Sequence, residues 1–392
     1  MYLKKIGLVT CYFQANYGSQ LQAFATQEIF NKLNIENETI CVDGLLPEIN
    51  RAKYRYFFCR ILDINTVRDK WGTIRKCIAK RIHMKYSVDS AVRDKMFNSF
   101  SHSMFNLSPI YNSKAELSEK ANQYAMFVVG SDQLWLPSNI AADYYTLNFV
   151  PKKIPRMSLS TSFGVSSLPP CQAKKAISFL SRINYLSVRE ESGKKLIKKL
   201  TDLEVPVVCD PTLLFTAEEW DSFFEKKKIV EGKYILCYFL GNNPIQRDFA
   251  DKLRQYTGLK IVQLAHLDEY IKSDVGFADE TPYDVGPAEF IGLIRDANYI
   301  LTDSFHCTIF SMIYKKVFFS FRRYNSDSAV STNSRLYFLL SSIGLEERLL
   351  DASEGIDQCL SQPIDYNAVH HRIESSRKLA MNFIHTALKA IK

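Results

Sequence analysis

The chain has 392 residues, 46% of them apolar and 13% aromatic, and a formal net charge of +8. It is too long for one ordinary core and apolar enough to fill two, which excludes a single small domain and a disordered chain. No run of 18 uncharged apolar residues occurs, and "MYLKKIGLVTCYFQ" enters a strand pattern with no leader-like apolar stretch, so the sequence reads as cytoplasmic.

In chain order, "KKIGLVTCYF" has the pattern of a buried strand and "QANYG" of a turn, with Ser19 as N-cap of a helix to about Leu33. Leu21, Phe24, Ala25, Ile29 and Leu33 share one face of that helix. "NETICVD" is the next strand. Residues 51–86 then hold eleven Lys and Arg against two Asp, interleaved with Tyr54, Tyr56, Phe57, Phe58 and Trp71. Such a stretch is either a solvated helical excursion or a surface for a polyanion or an anionic membrane. No RNP, helix-turn-helix or zinc-finger pattern accompanies it, so nucleic acid is not the expected partner.

The strand patterns "AMFVVG", "RMSLSTSFG", "NYLSVRE" and "VPVVCD" follow, with the helical "ESGKKLIKKLTD" between the last two. A second series begins after "PTLLFTAEEW": strand "KYILCYFLG", a helix near 245–257, strand "KIVQLAH", a helix near 287–296, strand "NYILTD", a helix near 305–314 and strand "VFFSF". Repeated β-loop-α-β order is the pattern of parallel sheets with helices on both faces. The expected organisation is an α/β chain of two Rossmann-like domains, 1–215 (carrying the 51–86 excursion) and 216–365, with a helix in 366–392 that packs across both. The nine cysteines include no C-x-x-C pair and several lie inside strand patterns, which predicts reduced core thiols and no structural metal.

Functional groups cluster where strands end and helices begin, the position at which open α/β sheets bind ligands. "TDSFHC" places Asp303, Ser304 and His306 at the mouth of a helix, where an anion is well held and an imidazole can pass a proton. The alternative is a capping cluster in which Asp303 or Ser304 caps the helix and His306 packs. "FRRYNSDS" offers Arg322 and Arg323, and Arg335 follows, for a carboxylate or phosphate, or as surface arginines. In the first domain "NYGSQLQAF" bends the chain at Gly18 and presents Asn16, Tyr17, Ser19 and Gln22, groups suited to sugar hydroxyls. "VVGSDQLW" repeats the arrangement with Ser131 and Asp132, and Trp135 is a candidate to stack on a sugar face. "LSVREES" sets Arg189 and Glu190 at another strand end, either to clasp a carboxylate or as an internal ion pair. Asp210 of "VVCDPTLL" caps the turn at Pro211 or joins the site. The absence of G-x-G-x-x-G and of the P-loop pattern disfavours dinucleotide and P-loop chemistry.

Together, "NYGSQLQA", "VVGSDQLW", "SLSTSFG", "LSVREESG", "VVCDPTLL" and "TDSFHCTIFSMIYKKVFF", in this order, resemble the polysaccharide pyruvyl transferase family. The resemblance implies a GT-B-like fold of two Rossmann-like domains facing across a cleft. It implies transfer of the enolpyruvyl unit of phosphoenolpyruvate onto two hydroxyls of a sugar, as a ketal, with release of phosphate. Implied roles are acid/base for His306, tuned by Asp303, and donor binding for Arg189 with Ser304, Thr308 and Arg322. Acceptor binding falls to Asn16, Tyr17, Gly18, Gln22, Ser131 and Asp132. Phosphoenolpyruvate is then a co-substrate, no cofactor or metal is needed, and the acceptor is a free or lipid-linked sugar reached from the inner face of the membrane. A nucleotide-sugar glycosyltransferase and a non-catalytic carbohydrate-binding protein are the alternatives. One departure is Cys307 where the family usually has glycine, which is expected to narrow the space above the helix.

Overall fold

A computed structural model describes residues 5–60, 80–266, 270–323, 332–351 and 354–391, excepting the side chains of 332–334. The apolar runs read above form two sheets. In the first, β1 (Lys5–Val9), β2 (Asn37–Thr39), β3 (Tyr124–Asp132), β4 (Arg156–Thr161) and β5 (Tyr185–Val188) lie in the order β2-β1-β3-β4-β5. All four pairings are parallel. In the second, β6 (Tyr234–Tyr238), β7 (Lys260–Gln263), β8 (Tyr299–Thr302), β9 (Val317–Phe321) and β10 (Leu349–Leu350) run β10-β9-β8-β6-β7, again all parallel. Counted within its own sheet, each order is 2-1-3-4-5, the doubly wound arrangement whose right-handed crossovers put helices on both faces. Such strands are buried on both sides, which is why β6 reads as an unbroken apolar run; β4 is also buried along its whole length, with its Ser158, Ser160 and Thr161 hydroxyls hydrogen-bonded to backbone carbonyls.

The chain divides into two compact units. One comprises Met1–Thr66, Phe100–Leu214 and Ser375–Lys392; the other comprises Val67–Ser99 and Phe215–Glu374. The second takes in residues 67–99 because Arg93, buried in the helix Met84–Ser103, donates to the carbonyls of Tyr283 at 3.2 Å, Ala265 at 2.9 Å and Pro282 at 2.7 Å. Trp71 and the basic residues between 61 and 79 lie outside the described residues. The helix Tyr366–Leu388 begins in the second unit and passes at Ser375 into the first. There Ala380, Ile384, Ala387 and Leu388 are buried.

Three local expectations are corrected. The first helix starts at Tyr17, with Asn16 rather than Ser19 as its N-cap: the Asn16 side chain accepts from the Ser19 N–H at 3.0 Å. Gly18 therefore lies in the first helical turn. "VPVVCD" forms no strand; one bridge joins Val207 to Val188, because Pro206 at this sheet edge has no N–H to donate. Glycine is indispensable elsewhere, at Gly130 near the end of β3, where φ is +138° and an added Cβ would lie 2.0 Å from the Leu159 carbonyl oxygen.

Candidate functional site

In a 2-1-3-4-5 sheet the switch point lies beyond the carboxyl ends of the first and third strands, here β1 and β3 in one unit and β6 and β8 in the other. The second unit gathers polar residues there, and the first gathers them along the carboxyl ends of β3 and β5.

In the first unit the centre is Arg189, just past β5 and 4% exposed. Its Nη1 donates to Asp210 Oδ2 at 2.8 Å, its Nη2 is 3.5 Å from Asp132 Oδ1 and its Nε is 3.8 Å from Glu190 Oε2. Burial alone would lower the guanidinium pKa, but Asp210, Asp132 and Glu190 together raise it, so the cation is held fast. The carboxylates are themselves anchored. Asp210 accepts from Ser131 Oγ at 3.2 Å, and its other oxygen takes the Thr212 N–H at 3.1 Å, so this residue both caps the turn at Pro211 and joins the cluster. Glu190 accepts from Ser162 Oγ at 2.6 Å.

Asp132 is the member that reaches the surface, with 16% of its side chain exposed. Its Oδ2 accepts from Ser19 Oγ at 2.6 Å and lies 3.7 Å from Cys11 Sγ, and its φ of 71° turns the carboxylate out of the strand. Burial, then the Asp132 charge, pushes the Cys11 thiol well above its ordinary range. Behind Asp132, Gln22 is fully buried: its Nε2 donates to the Ser19 carbonyl at 2.7 Å, and its Oε1 accepts from the Ser131 N–H at 2.7 Å. Ser131 and Tyr17 are also buried. Of the six acceptor-side residues, Asp132 and Asn16 are the ones with exposed surface, while Gln22 and Ser131 brace the turn that aims Asp132.

In the second unit the helix Phe305–Ile313 starts at the switch point with Ser304 as N-cap. Asp303 spans the gap to the neighbouring strand: its Oδ1 accepts from the Leu240 N–H at 2.7 Å and its Oδ2 from the Gly241 N–H at 2.9 Å. Gly241 has to be small, since a Cβ there would stand 3.1 Å from Asp303 Oδ2 and 2.9 Å from Arg323 Cγ. Arg323 completes the arrangement, donating from Nη2 to the Asp303 carbonyl at 3.1 Å and holding Nε 3.7 Å from its carboxylate. Of the two adjacent arginines, Arg323 reaches the helix mouth; Arg322 pairs with Asp351 at 3.3 Å and remains 46% exposed. His306 is in the first helical turn, 8% exposed, its ring edge-on to Phe305. Thr308 faces inward, donating to the Ser304 carbonyl at 3.0 Å and sharing a 2.8 Å hydrogen bond with Ser320.

Two residues differ from expectation. Trp135 is fully buried, its Nε1 donating to the Tyr145 carbonyl at 3.0 Å and its ring packed on Phe163 and Phe179, so it cannot stack on a sugar. Cys307 is also fully buried, and burial pushes its thiol up to about 12; it points into the core toward Thr302 and Ser311 and does not narrow the space above the helix. The amides of Leu240 and Gly241 and the Ser162–Glu190 and Cys11–Asp132 contacts were not foreseen. Backbone donors carry no residue-type signature, and the only available hint was that "FLGNN" leaves the strand next to "ILTDS" in a parallel sheet.

A sequence model of the polysaccharide pyruvyl transferase family matches residues 16–325. The chain belongs to that family. The matched span takes in both clusters, from Asn16 through Arg323, so this pyruvyl transferase carries its polar switch-point residues inside the family's own segment. No curated protein matches the chain. Among solved structures, the UDP-GlcNAc 2-epimerase of Neisseria meningitidis is similar at 10% identity, 98% of this chain and 100% of that one, with a TM-score of 0.48. A glycosyltransferase of Rickettsia africae gives 11%, 100% and 100%, with a TM-score of 0.46. The UDP-GlcNAc 2-epimerase of Methanocaldococcus jannaschii gives 15%, 95% and 93%, at 0.43. These scores are low, and the α/β assignment of the transferase rests on its strand orders.

Proposed function

We propose that the protein transfers the enolpyruvyl unit of phosphoenolpyruvate onto two hydroxyls of a sugar, in a polysaccharide or its lipid-linked precursor, at the cytoplasmic side of the membrane. The observation that carries this reading is family membership over 16–325, joined to an imidazole set in the first turn of a switch-point helix. The donor is a phosphate and a carboxylate on one small frame, and a helix N-terminus with an adjacent guanidinium, that of Arg323, is a fitting receptor for such anions. No metal is invoked.

His306 delivers a proton to the methylene carbon, making the adjacent carbon electrophilic. A sugar hydroxyl oxygen bonds to that carbon, and its proton passes to the imidazole that has just given one up. The carbon–oxygen bond to phosphate breaks and the second hydroxyl oxygen bonds in its place. Two hydroxyl protons are thus matched by one on the new methyl group and one on the departing phosphate. In this reading Asp303 positions the helix by tying it to Leu240 and Gly241. Arg189 positions Asp132; for Arg189 to bind the donor, one of its three carboxylates would have to be displaced.

The test is to incubate the protein with phosphoenolpyruvate and a panel of free and lipid-linked oligosaccharides, following phosphate release and the acceptor's mass. Acceptor-dependent phosphate release with a pyruvate ketal on the sugar is expected. Consumption of a nucleotide sugar with none of phosphoenolpyruvate would overturn the reading.

A further inference from the structure

The helix Leu46–Phe58 buries only one of its thirteen residues, Ile49. Arg51, Tyr54, Arg55 and Phe58 recur along it at steps of three and four, which places them on one face. All four are exposed, Tyr54 to 67% and Phe58 to 77%. The helix has a single acid, Glu48, and that charge is answered by Lys114 Nζ at 3.3 Å, so the outward face is cationic. Tyr54 and Phe58 thus present mostly exposed rings on the same face as two guanidinium groups.

We propose that this face docks on an anionic phospholipid bilayer. Sparse aromatic tips suit the headgroup layer, where a ring has one apolar and one wet side, and each interleaved arginine meets a lipid phosphate. A protein partner would call for a contiguous apolar patch, whereas here each apolar tip is flanked by a cation. The contact is peripheral, since among the described residues no helix is long and apolar enough to cross a membrane. The second unit shows the same interleaving in its own frame, with Ile82, Met84 and Val88 exposed to 69%, 80% and 59% beside exposed Arg81 and Lys85. The inference rests on the proposed function only for the reason a membrane is near, namely a lipid-linked acceptor.

The experiment is co-sedimentation of the full chain with vesicles of phosphatidylcholine alone and of phosphatidylcholine with phosphatidylglycerol, at low and high salt. Binding to the anionic vesicles alone, weakened by salt, is expected. With each surface cation contributing about fivefold, Arg51→Glu with Arg55→Glu should lower the partition coefficient at least about 25-fold. Tyr54→Ser with Phe58→Ser should weaken binding while keeping its salt dependence. Circular dichroism checks that these surface variants stay folded. Equal uptake by neutral vesicles, wild-type-like binding by both double variants, or loss of binding only with Met84→Ser would overturn the assignment. So would a wild-type dimer that the variants abolish with no uptake by vesicles. Phosphate release is not part of this readout, so failure of pyruvyl transfer on every acceptor would count against the proposed function and leave the vesicle result standing.

Discussion

Replacing Arg189 with methionine keeps most of the side-chain volume and removes the guanidinium that faces Asp210, Asp132 and Glu190 at 2.8, 3.5 and 3.8 Å. The Asp210 side chain is completely buried and that of Glu190 is 5% exposed, so their charges would be left in a poorly hydrated interior. Breaking a buried ion pair by removing one partner costs about 3–5 kcal/mol. For a unit of this size that lowers the melting temperature by roughly 6–20 °C. The loss should also depend on pH. In the variant these carboxylates hold protons more tightly folded than unfolded, so folding takes up protons and the deficit shrinks as the pH falls toward the carboxylate range. Scanning calorimetry of wild type and Arg189→Met at several pH values measures both effects. A variant that melts with the wild type at neutral pH, or whose deficit grows on acidification, would refute the idea that the guanidinium neutralises this cluster. Arg189→Lys separates stability from donor binding: a large rise in the donor KM with an unchanged melting temperature would place the donor on Arg189 itself.

His306→Ala should lower the rate of acceptor-dependent phosphate release by roughly a hundredfold or more at unchanged fold, and near-normal turnover would remove His306 from the chemistry. Asp303→Asn turns an amide N–H₂ toward one of two backbone donors, so amide exchange at Leu240 and Gly241 should quicken by roughly 5- to 150-fold, following the roughly 1–3 kcal/mol for an unsatisfied buried donor; unchanged protection would show that these bonds do not hold the loop. Cys307→Gly should destabilise by about 1–2 kcal/mol, from helix propensity and a small cavity, and leave the donor KM alone. A lowered KM would instead mean that the thiol does crowd the site. In the native protein the exposed Cys59 and Cys171 should react with a thiol reagent near neutral pH far faster than Cys307, whose thiol is pushed up to about 12; equal rates by mass spectrometry would contradict the burial assigned to Cys307.

The parallel sheets were legible because strands buried on both faces are mostly apolar. Runs such as "KKIGLV", "KYILCYFLG" and "VFFSF" have that character; β2 ("NET") and β4 ("RMSLST") do not, and in β4 the buried Ser158, Ser160 and Thr161 hydroxyls donate to backbone carbonyls instead. The two-residue β10 is too short to leave a run. "VPVVCD" misled because apolar content says nothing of the missing N–H at Pro206. The helix at Pro287–Asp296 was legible to the residue, its proline and periodic Phe290, Ile291 and Ile294 fixing start and face. At the candidate sites, residue types at strand ends singled out His306, Asp132 and Arg189, but their partners are set by strand order, which pattern alone does not give. That is how Arg189 came to be assigned to a ligand when its arms meet Asp210, Asp132 and Glu190, and why Trp135 looked available to a sugar. Composition marks which side chains are chemically able, and topology determines which of them are already engaged.

The first unit is closed by the last stretch of the chain. Arg377 donates from Nε to the Leu213 carbonyl, Cys209 Sγ lies 3.7 Å from the Ser376 carbonyl oxygen, and Ala380, Ile384, Ala387 and Leu388 are buried. During synthesis, then, the amino-terminal lobe must wait, incomplete, while a ribosome finishes everything downstream. A premature stop shortly before Ser375 would spare the lobe made last and cripple the one made first.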